Sequence, residues 1–254
     1  MNKKFKLGVQ LFSLRETAQA DMAGILSRLA GFGYRGIEFA GLCGYRPADV
    51  KQMLDDNGLT VPSFHGPFPS KENIAETAHD AGVLGYTDLV APFISREDWA
   101  TKEAGDATLQ RIARASELVN AHGLSLVIHN HSWEFDHRLD GKLPFELVME
   151  RIPRVRFQID TYWVAAAGED CAQAIERLAP RLHSLHIKDG PIEKATENSM
   201  VAVGSGAMKW EPILTALDTT GVEWIIVELD RCDTDPEVAL QESAAFLKDN
   251  GYIE

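Results

Sequence analysis

The stretch Leu126–Phe135 reads L-V-I-H-N-H-S-W-E-F, an apolar run that ends abruptly in His129, Asn130 and His131 and continues through Trp133 and Glu134. A buried strand with this ending gathers imidazole, amide and carboxylate groups at one point, where they can bind a metal or move protons. The alternative is a histidine pair hydrogen-bonded to backbone at a strand end. The choice between the two turns on whether other strands deliver partners to the same place.

Working outward, short apolar strands alternate with amphipathic helices along the whole chain. Strands are predicted at 6–12, 36–39, 59–64, 88–91, 125–129, 155–159, 182–187 and 224–227. Helices are predicted at 20–32, 47–57, 71–83, 106–122, 144–151, 172–178, 211–219 and 236–248, several of them closed by glycines such as Gly33, Gly58 and Gly123. Residues 190–208 read as an unstructured loop. Strict alternation calls for parallel strands. A doubly wound open sheet is the competitor, but no G-x-G-x-x-G follows the first strand. The expected fold class is α/β, a (β/α)8 TIM barrel forming a single domain over residues 1–254, close to the usual length of about 250 residues.

Composition narrows the function. With 25 Lys+Arg against 38 Asp+Glu the net charge is −13, which argues against nucleic acid as a partner because duplex binding relies on neutralising phosphates. The apolar run 7–14 is interrupted by Gly8, Gln10 and Ser13, so neither a signal peptide nor a membrane span is expected. Cys43, Cys171 and Cys232 are odd in number, far apart and without a C-x-x-C, as suits a reducing cytoplasm. The expected partner is a small carbohydrate, with a homo-oligomer left open.

Catalytic residues of such barrels come from the carboxyl ends of several strands. Those ends carry Glu38, His65, His129-Asn130-His131, Asp160, His186-Lys188 and Glu228. Two imidazoles and two carboxylates, one each from strands five to eight, can surround a divalent cation; this N/O set suits Mn²⁺, Co²⁺ or Zn²⁺. The competing reading pairs these charges with one another and with Lys188 or Arg231.

Several segments together resemble the xylose-isomerase-like barrel superfamily, the sugar phosphate isomerases/epimerases. They are G-V-Q-L-F-S-L-R (8–15), G-Y-R-G-I-E-F-A-G (33–41), I-H-N-H-S-W-E-F, Q-I-D-T-Y-W, L-H-I-K-D, V-G-S-G-A-M-K-W and I-I-V-E-L-D. Their order and spacing carry the likeness over nearly the whole chain. The resemblance implies one divalent metal, with Asp160, His186 and Glu228 on ligand positions. His129 stands where many members place a glutamate, so it is the first choice for the strand-five ligand and Glu134 the reserve. His131 is expected to orient its neighbour or to touch substrate. The family's AP endonucleases bind extra zincs through a histidine three residues after the strand-six aspartate and an Asp/His pair after strand seven. Trp163 takes the first position here, and the loop 200–206 has neither Asp nor His. Ketose 3-epimerases of the superfamily use two glutamates, and His129 replaces one of them.

The expected enzyme is a metal-dependent carbohydrate isomerase or epimerase that removes the proton next to a carbonyl. Glu228 or Glu38 is the candidate base, His129 or His131 its partner, and Lys188 the cationic stabiliser. A lyase that expels a β-hydroxyl or β-glycosyl group from the same intermediate is the runner-up, since members with an H-N-H strand five also resemble inosose dehydratases and 3-keto-glycoside lyases. A sugar-binding barrel without catalysis is the second class. His65, His131, Trp133 and Trp163 are the candidate substrate contacts. Gly204-Ser205-Gly206 could bring backbone N–H groups to a phosphate, but two glycines are a weak signal and no phosphorylated substrate is predicted from them.

Overall fold

Trp224 crosses the foot of a barrel, and the two strands beneath its indole carry glycine where they pass it. A Cβ on Gly36 would stand 2.5 Å from the ring, and one on Gly8 would meet Ile226 at 3.1 Å. The computed structural model describes residues 4–253. Its eight strands are β1 (Lys6–Gln10), β2 (Gly36–Glu38), β3 (Phe64–His65), β4 (Asp88–Ala91), β5 (Ser125–His129), β6 (Arg156–Asp160), β7 (Leu182–Ile187) and β8 (Trp224–Val227). Every named pairing is parallel, in the order β2-β1-β8-β7-β6-β5-β4-β3. Parallel bridges Gly36↔Thr60 and Phe39↔Phe64 join the two edges. The result is a nearly closed TIM barrel in one domain.

The helices are α1 (Arg15–Ala20), α2 (Met22–Phe32), α3 (Pro47–Asp56), α4 (Ile74–Leu84), α5 (Lys102–Ala121), α6 (Trp133–Asp136), α7 (Pro144–Arg151), α8 (Thr161–Ala166), α9 (Cys171–Leu178), α10 (Trp210–Ala216) and α11 (Pro236–Asp249). Most bury one apolar stripe against the sheet. On α9 the stripe is Cys171, Ala174, Ile175 and Leu178, at the i, i+3, i+4, i+7 spacing of one helix face. Each fully buried Leu or Ile contributes roughly 1.5–3 kcal/mol. No helix among the described residues is long and apolar enough to cross a membrane.

Four strands and one helix (88–91, 125–129, 182–187, 224–227 and 144–151) fall where the sequence predicts them. The departures have local causes. The predicted helix 20–32 starts at Met22, because Asp21 leaves helical geometry and its carboxylate accepts from Gly24 N at 2.9 Å to cap α2; α1, which the sequence did not suggest, ends at Ala20. The predicted strand 6–12 ends at Gln10, whose side chain accepts from Phe12 N (3.1 Å) and turns the chain into a 3-10 helix, Leu11–Leu14. The predicted strand 59–64 is reduced to Phe64–His65 and a bridge at Thr60; Pro62 has no N–H for the ladder. Two further short helices were not predicted: α8, which follows directly on β6, and α6, which begins at Trp133 after a three-residue link from the end of β5. The 190–208 segment contains no helix.

One irregularity sets the height of the site. Between β6 and β7 the register passes from Phe157↔Leu182 to Gln158↔Ser184, leaving His183 as an extra residue. Beyond it Asp160 lies level with His186.

Candidate active site and metal centre

Glu38 ends β2, fully buried. Its carboxylate accepts from Gln10 Nε2 (2.9 Å), Ser63 Oγ, Gln158 Nε2 (2.7 Å) and His186 Nε2 (2.5 Å), with His65 Nε2 at 3.1 Å. Burial opposes its charge, but His65 and His186 hold its pKa well below the usual carboxylate range. An ionised carboxylate only accepts, so Gln158 turns its amide nitrogen to Glu38 and its oxygen away. That oxygen lies 2.8 Å from His65 Nε2 and 3.0 Å from His129 Nδ1. Both nitrogens therefore carry their protons, and His129 keeps Nε2 as a lone pair. By the same logic His186 donates Nε2 to Glu38 and turns Nδ1 to Glu228 Oε2, 2.8 Å away. This corrects Glu38 as a candidate base. Five donors surround it and it has no face on the cavity, so it orients the two histidines instead.

His129, Asp160, His186 and Glu228, from the tops of β5 to β8, each place a donor atom within 4.8 Å of the others, and all four are buried. Asp160 Oδ1 caps α8 by accepting from Trp163 N at 3.1 Å. Its Oδ2 makes no hydrogen bond. Lys188 Nζ lies 3.0 Å from that atom and His129 Nε2 3.8 Å. Burial pushes the Asp160 carboxyl up to about 6, against the pull of Lys188. Burial, reinforced by His186 and His65, holds His129 well below its ordinary pKa and so neutral. Burial also opposes a charge on His186, but Glu38 and Glu228 raise it to about 10. The quartet fits a divalent cation on its own terms: a buried carboxylate oxygen, Asp160 Oδ2, that makes no hydrogen bond and is met only by the Lys188 ammonium and the His129 ring, a neutral imidazole with its lone pair inward, and a second imidazole whose Nδ1 proton a cation would replace. His65 is also within reach of His129 and His186, but its Nε2 is engaged by Gln158 and Glu38.

Above the quartet opens a cavity of about 480 Å³, lined by Phe12, Phe93, His65, His129, His131, Lys188, Glu228 and Asp230 among others. Lys188 is buried, its Nζ 2.7 Å from Glu228 and 2.8 Å from both oxygens of Asp230. Burial disfavours the ammonium, yet Asp160, Asp230 and Glu228 raise its pKa well above normal. The competing reading, in which Lys188 pairs with the strand-end carboxylates, is thus met at Glu228 and Asp160, while the adjacent Asp189 turns into the following loop.

His131 stacks on Trp133 at 4.5 Å and 1°, with the edge of Phe93 at 5.3 Å. Its Nδ1 is buried without a partner, and burial with Lys188 nearby pushes its pKa down to about 3. Glu134 is the second correction. It stands in the first turn of α6, where Oε2 accepts from His131 N at 2.9 Å, and it is not one of the donors gathered at the metal site. Burial pushes it up to about 8. Of the predicted substrate contacts, His65 and His131 line the cavity. Trp133 backs His131 and donates Nε1 to Ile94 O at 2.8 Å; Trp163 lies under Lys188, 5.7 Å from ring centroid to Nζ.

Sequence reasoning missed Gln10, Gln158 and Asp230. Gln158 sits two residues before Asp160, and Asp230 two after Glu228. Strand alternation from a known inward residue would have found the first. Asn130, quoted without a role, clamps the tops of β5 and β6: its Oδ1 accepts from Asp160 N (2.8 Å) and its Nδ2 donates to Asp160 O (3.2 Å).

Known proteins place this geometry in context. An inosose dehydratase of Geobacillus thermodenitrificans is 26% identical, over 98% of this chain and 96% of that protein. The crystal structure of a sugar phosphate isomerase/epimerase from Parabacteroides distasonis superposes with a TM-score of 0.79 at 25% identity, covering 100% of this chain and 96% of the other. A D-allulose 3-epimerase from Methylomonas sp., solved with D-allulose, gives a TM-score of 0.73 at 15% identity over 97% of each chain, a likeness of fold alone. Residues 26–250 match the family described as xylose isomerase-like TIM barrel, and the chain belongs to that family.

Proposed function

We propose that this barrel is a divalent-metal-dependent enzyme that removes the proton beside the carbonyl of a keto-sugar or cyclic keto-polyol and expels the β-hydroxyl as water. The observation that carries this reading is an asymmetry. Of the two carboxylates in the donor quartet, only Glu228 lines the cavity, while Asp160 is fully buried beneath it. One cavity carboxylate suits a one-base reaction, and curated relatives 23–26% identical to this chain are inosose dehydratases.

His129 Nε2, Asp160, His186 Nδ1 and Glu228 would hold the metal. When bound, the cation would polarise the substrate carbonyl and a neighbouring oxygen, making the adjacent C–H more acidic. Glu228 takes that proton. The Lys188 ammonium, fixed by three carboxylates, faces the negative charge that develops on the oxygen. The C–O bond to the β-carbon then breaks, and the proton held by Glu228 passes to the departing hydroxyl, so water leaves and the carboxylate is restored. His65 and His131 wall the site, and Phe12 and Phe93 limit water at the mouth.

A second reading, isomerisation or epimerisation, is favoured by His131. It lies across the cavity from Glu228, three strands away round the barrel, and its unpartnered Nδ1 could deliver a proton to the opposite face. Incubating metal-loaded enzyme with keto-sugars and inososes in D₂O separates the two. A product lighter by one water supports elimination. A product of unchanged formula carrying deuterium supports the second reading, and a Glu228→Gln variant as active as wild type would sink both.

A further inference from the structure

The segment G-V-Q-L-F-S-L-R (8–15) opens the chain's resemblance to its family, yet none of its residues belongs to the donor quartet. The sheet gives one of them another task. β1 and β8 pair from Lys6↔Trp224 to Val9↔Val227, with Lys6 N donating to Glu223 O. A parallel ladder repeats its bonds evenly, so the rung that closes the top would join Leu229 N to Gln10 O. That rung is interrupted. Gln10 ends β1, and the chain enters the 3-10 turn Leu11–Leu14, in which every third residue returns to the same side. Ser13 thereby comes back over Gln10: its Oγ donates to Gln10 O (2.8 Å) and accepts from Leu229 N (2.9 Å). One hydroxyl stands where a direct rung was due, and β1 and β8 part there without losing contact.

Leu229 directly follows Glu228. On the other side, Glu228 N donates to Ile187 O of β7 at 3.2 Å. The Glu228 backbone is therefore held by β7 through its own N–H and by Ser13 through the next. Two longer ties continue outward: Asp230 N donates to Met200 Sδ (3.2 Å), and Arg15 donates to Asp230 O (3.4 Å). Ser13 is buried and is not among the residues that line the cavity, so it acts on substrate only through Glu228. Alanine at this position leaves Leu229 N two outcomes. It stays buried without an acceptor, which is costly, or it closes directly on Gln10 O and draws the end of β8 toward β1. The first loosens and the second displaces the carboxylate that stands 2.8 Å from His186 Nδ1 and 2.7 Å from Lys188 Nζ.

Resting on the reading of Glu228 as metal ligand and base, we propose that Ser13 is the positioning residue for Glu228: its hydroxyl, inserted as a spacer between β1 and β8, sets where that carboxylate stands among the donors. The place calls for a side chain that donates and accepts at once in the room of a serine, and a hydroxyl does both.

A matched pair of serines tests this. Ser243 makes the same two kinds of bond elsewhere: buried on α11, its Oγ donates to Ala239 O (2.7 Å) and accepts from Val203 N (2.9 Å), in a loop that carries none of the quartet. Ser13→Ala and Ser243→Ala are compared in the full chain by thermal unfolding and by calorimetric titration of the metal-free protein with Mn²⁺, Co²⁺ and Zn²⁺. The loss of water from an inosose is followed alongside. Both variants should lose Tm. Only Ser13→Ala should bind metal about 10–100-fold more weakly, as when the partner of a ligand is removed, and lose kcat with KM little changed. Ser13→Ala with wild-type metal affinity overturns the proposal and leaves the proposed chemistry standing. Ser243→Ala weakened as much as Ser13→Ala also overturns it, since the effect would then be general loosening. Where the inosose does not react, the metal affinities decide. A wild-type protein that binds none of the three ions removes the metal reading and the proposal with it. If Ser13→Ala does not fold, Ser13→Cys decides: the larger sulfur lengthens the spacer and accepts poorly, so metal affinity should fall, and wild-type affinity overturns the proposal.

Discussion

Gln158 Oε1 lies 3.0 Å from His129 Nδ1, and this one contact determines which nitrogen of His129 faces Asp160. The direction of the contact is inherited from Glu38, which can only accept and so fixes the Gln158 amide from the other side.

Replacing Gln158 by Met keeps most of its volume and removes the relay. The His129 ring loses its fixed tautomer, and affinity for Mn²⁺ should fall by about 10–100-fold, the usual effect of losing the partner of a metal-ligating histidine. Calorimetric titration of metal-free protein measures it. A variant with wild-type affinity would show that the ring orientation does not depend on Gln158.

Lys188 holds three carboxylates together within 3.0 Å. In Lys188→Met the metal-free protein should lose about 3–5 kcal/mol, as expected when buried charges lose their partner. Adding Mn²⁺ should return a larger share of Tm to this variant than it adds to wild type, because a cation restores the missing charge. Equal metal responses in the two proteins would contradict this.

The pH dependence of stability should carry the mark of Glu134. Its folded pKa, pushed up to about 8 by burial, lies above the ordinary glutamate value of 4.5. Between those two values the folded chain keeps a proton that the unfolded chain has released. The contribution is therefore fully present below about 4.5 and is lost as pH rises towards 8, at up to about 1.4 kcal/mol per pH unit. Glu134→Gln, which can still accept from His131 N, should remove that slope in urea titrations across the range.

Much of the fold was legible because the barrel repeats one local rule: a helix stripe at 3.6 spacing, a glycine stop, a short apolar strand. It failed where a single side chain overrode the pattern, as at Asp21, Gln10 and Pro62. The site was legible as residue types at strand ends, since Asp160, His186 and Glu228 follow apolar runs. What the sequence could not assign was which polar group faces the cavity and which serves another polar group. Glu38 and Glu228 look alike as strand-end glutamates, yet Glu38 is enclosed by Gln10 of β1, Ser63 just before β3 and Gln158 of β6 across the barrel, contacts that no local pattern encodes. Asp189 is the same case: beside Lys188 in sequence, it is claimed by N–H groups 15 to 21 residues further on.

The foot of the barrel gives a test independent of chemistry. Gly36→Ala places a methyl 2.5 Å from the Trp224 indole, and overpacking of this kind costs about 1–3 kcal/mol. Pairing it with Trp224→Leu should recover part of the loss, since the smaller side chain vacates the space. Additive losses in the double variant, read by denaturant unfolding, would show that the two side chains do not compete.

His183 has a consequence of another kind. Because it is counted once too often against β6, β7 is read in two frames: Leu182 belongs to the frame of Phe157, whereas Ser184 and His186 belong to that of Gln158 and Asp160. Deleting this one residue would merge the two frames: Phe157↔Leu182 and Gln158↔Ser184 would follow without a break, and His186 would stay opposite Asp160. Adding one residue between Ser184 and Leu185 would instead leave the hydrogen-bonding alphabet of the strand intact and shift its meaning. Leu185 would then take the place of His186 opposite Asp160, and the imidazole would move off the barrel's inner face. The sheet would tolerate that insertion far better than the metal site would. Insertions in β7 beyond His183 should thus be silent in strand content and decisive in metal binding, like a frameshift within a message that can still be spelled.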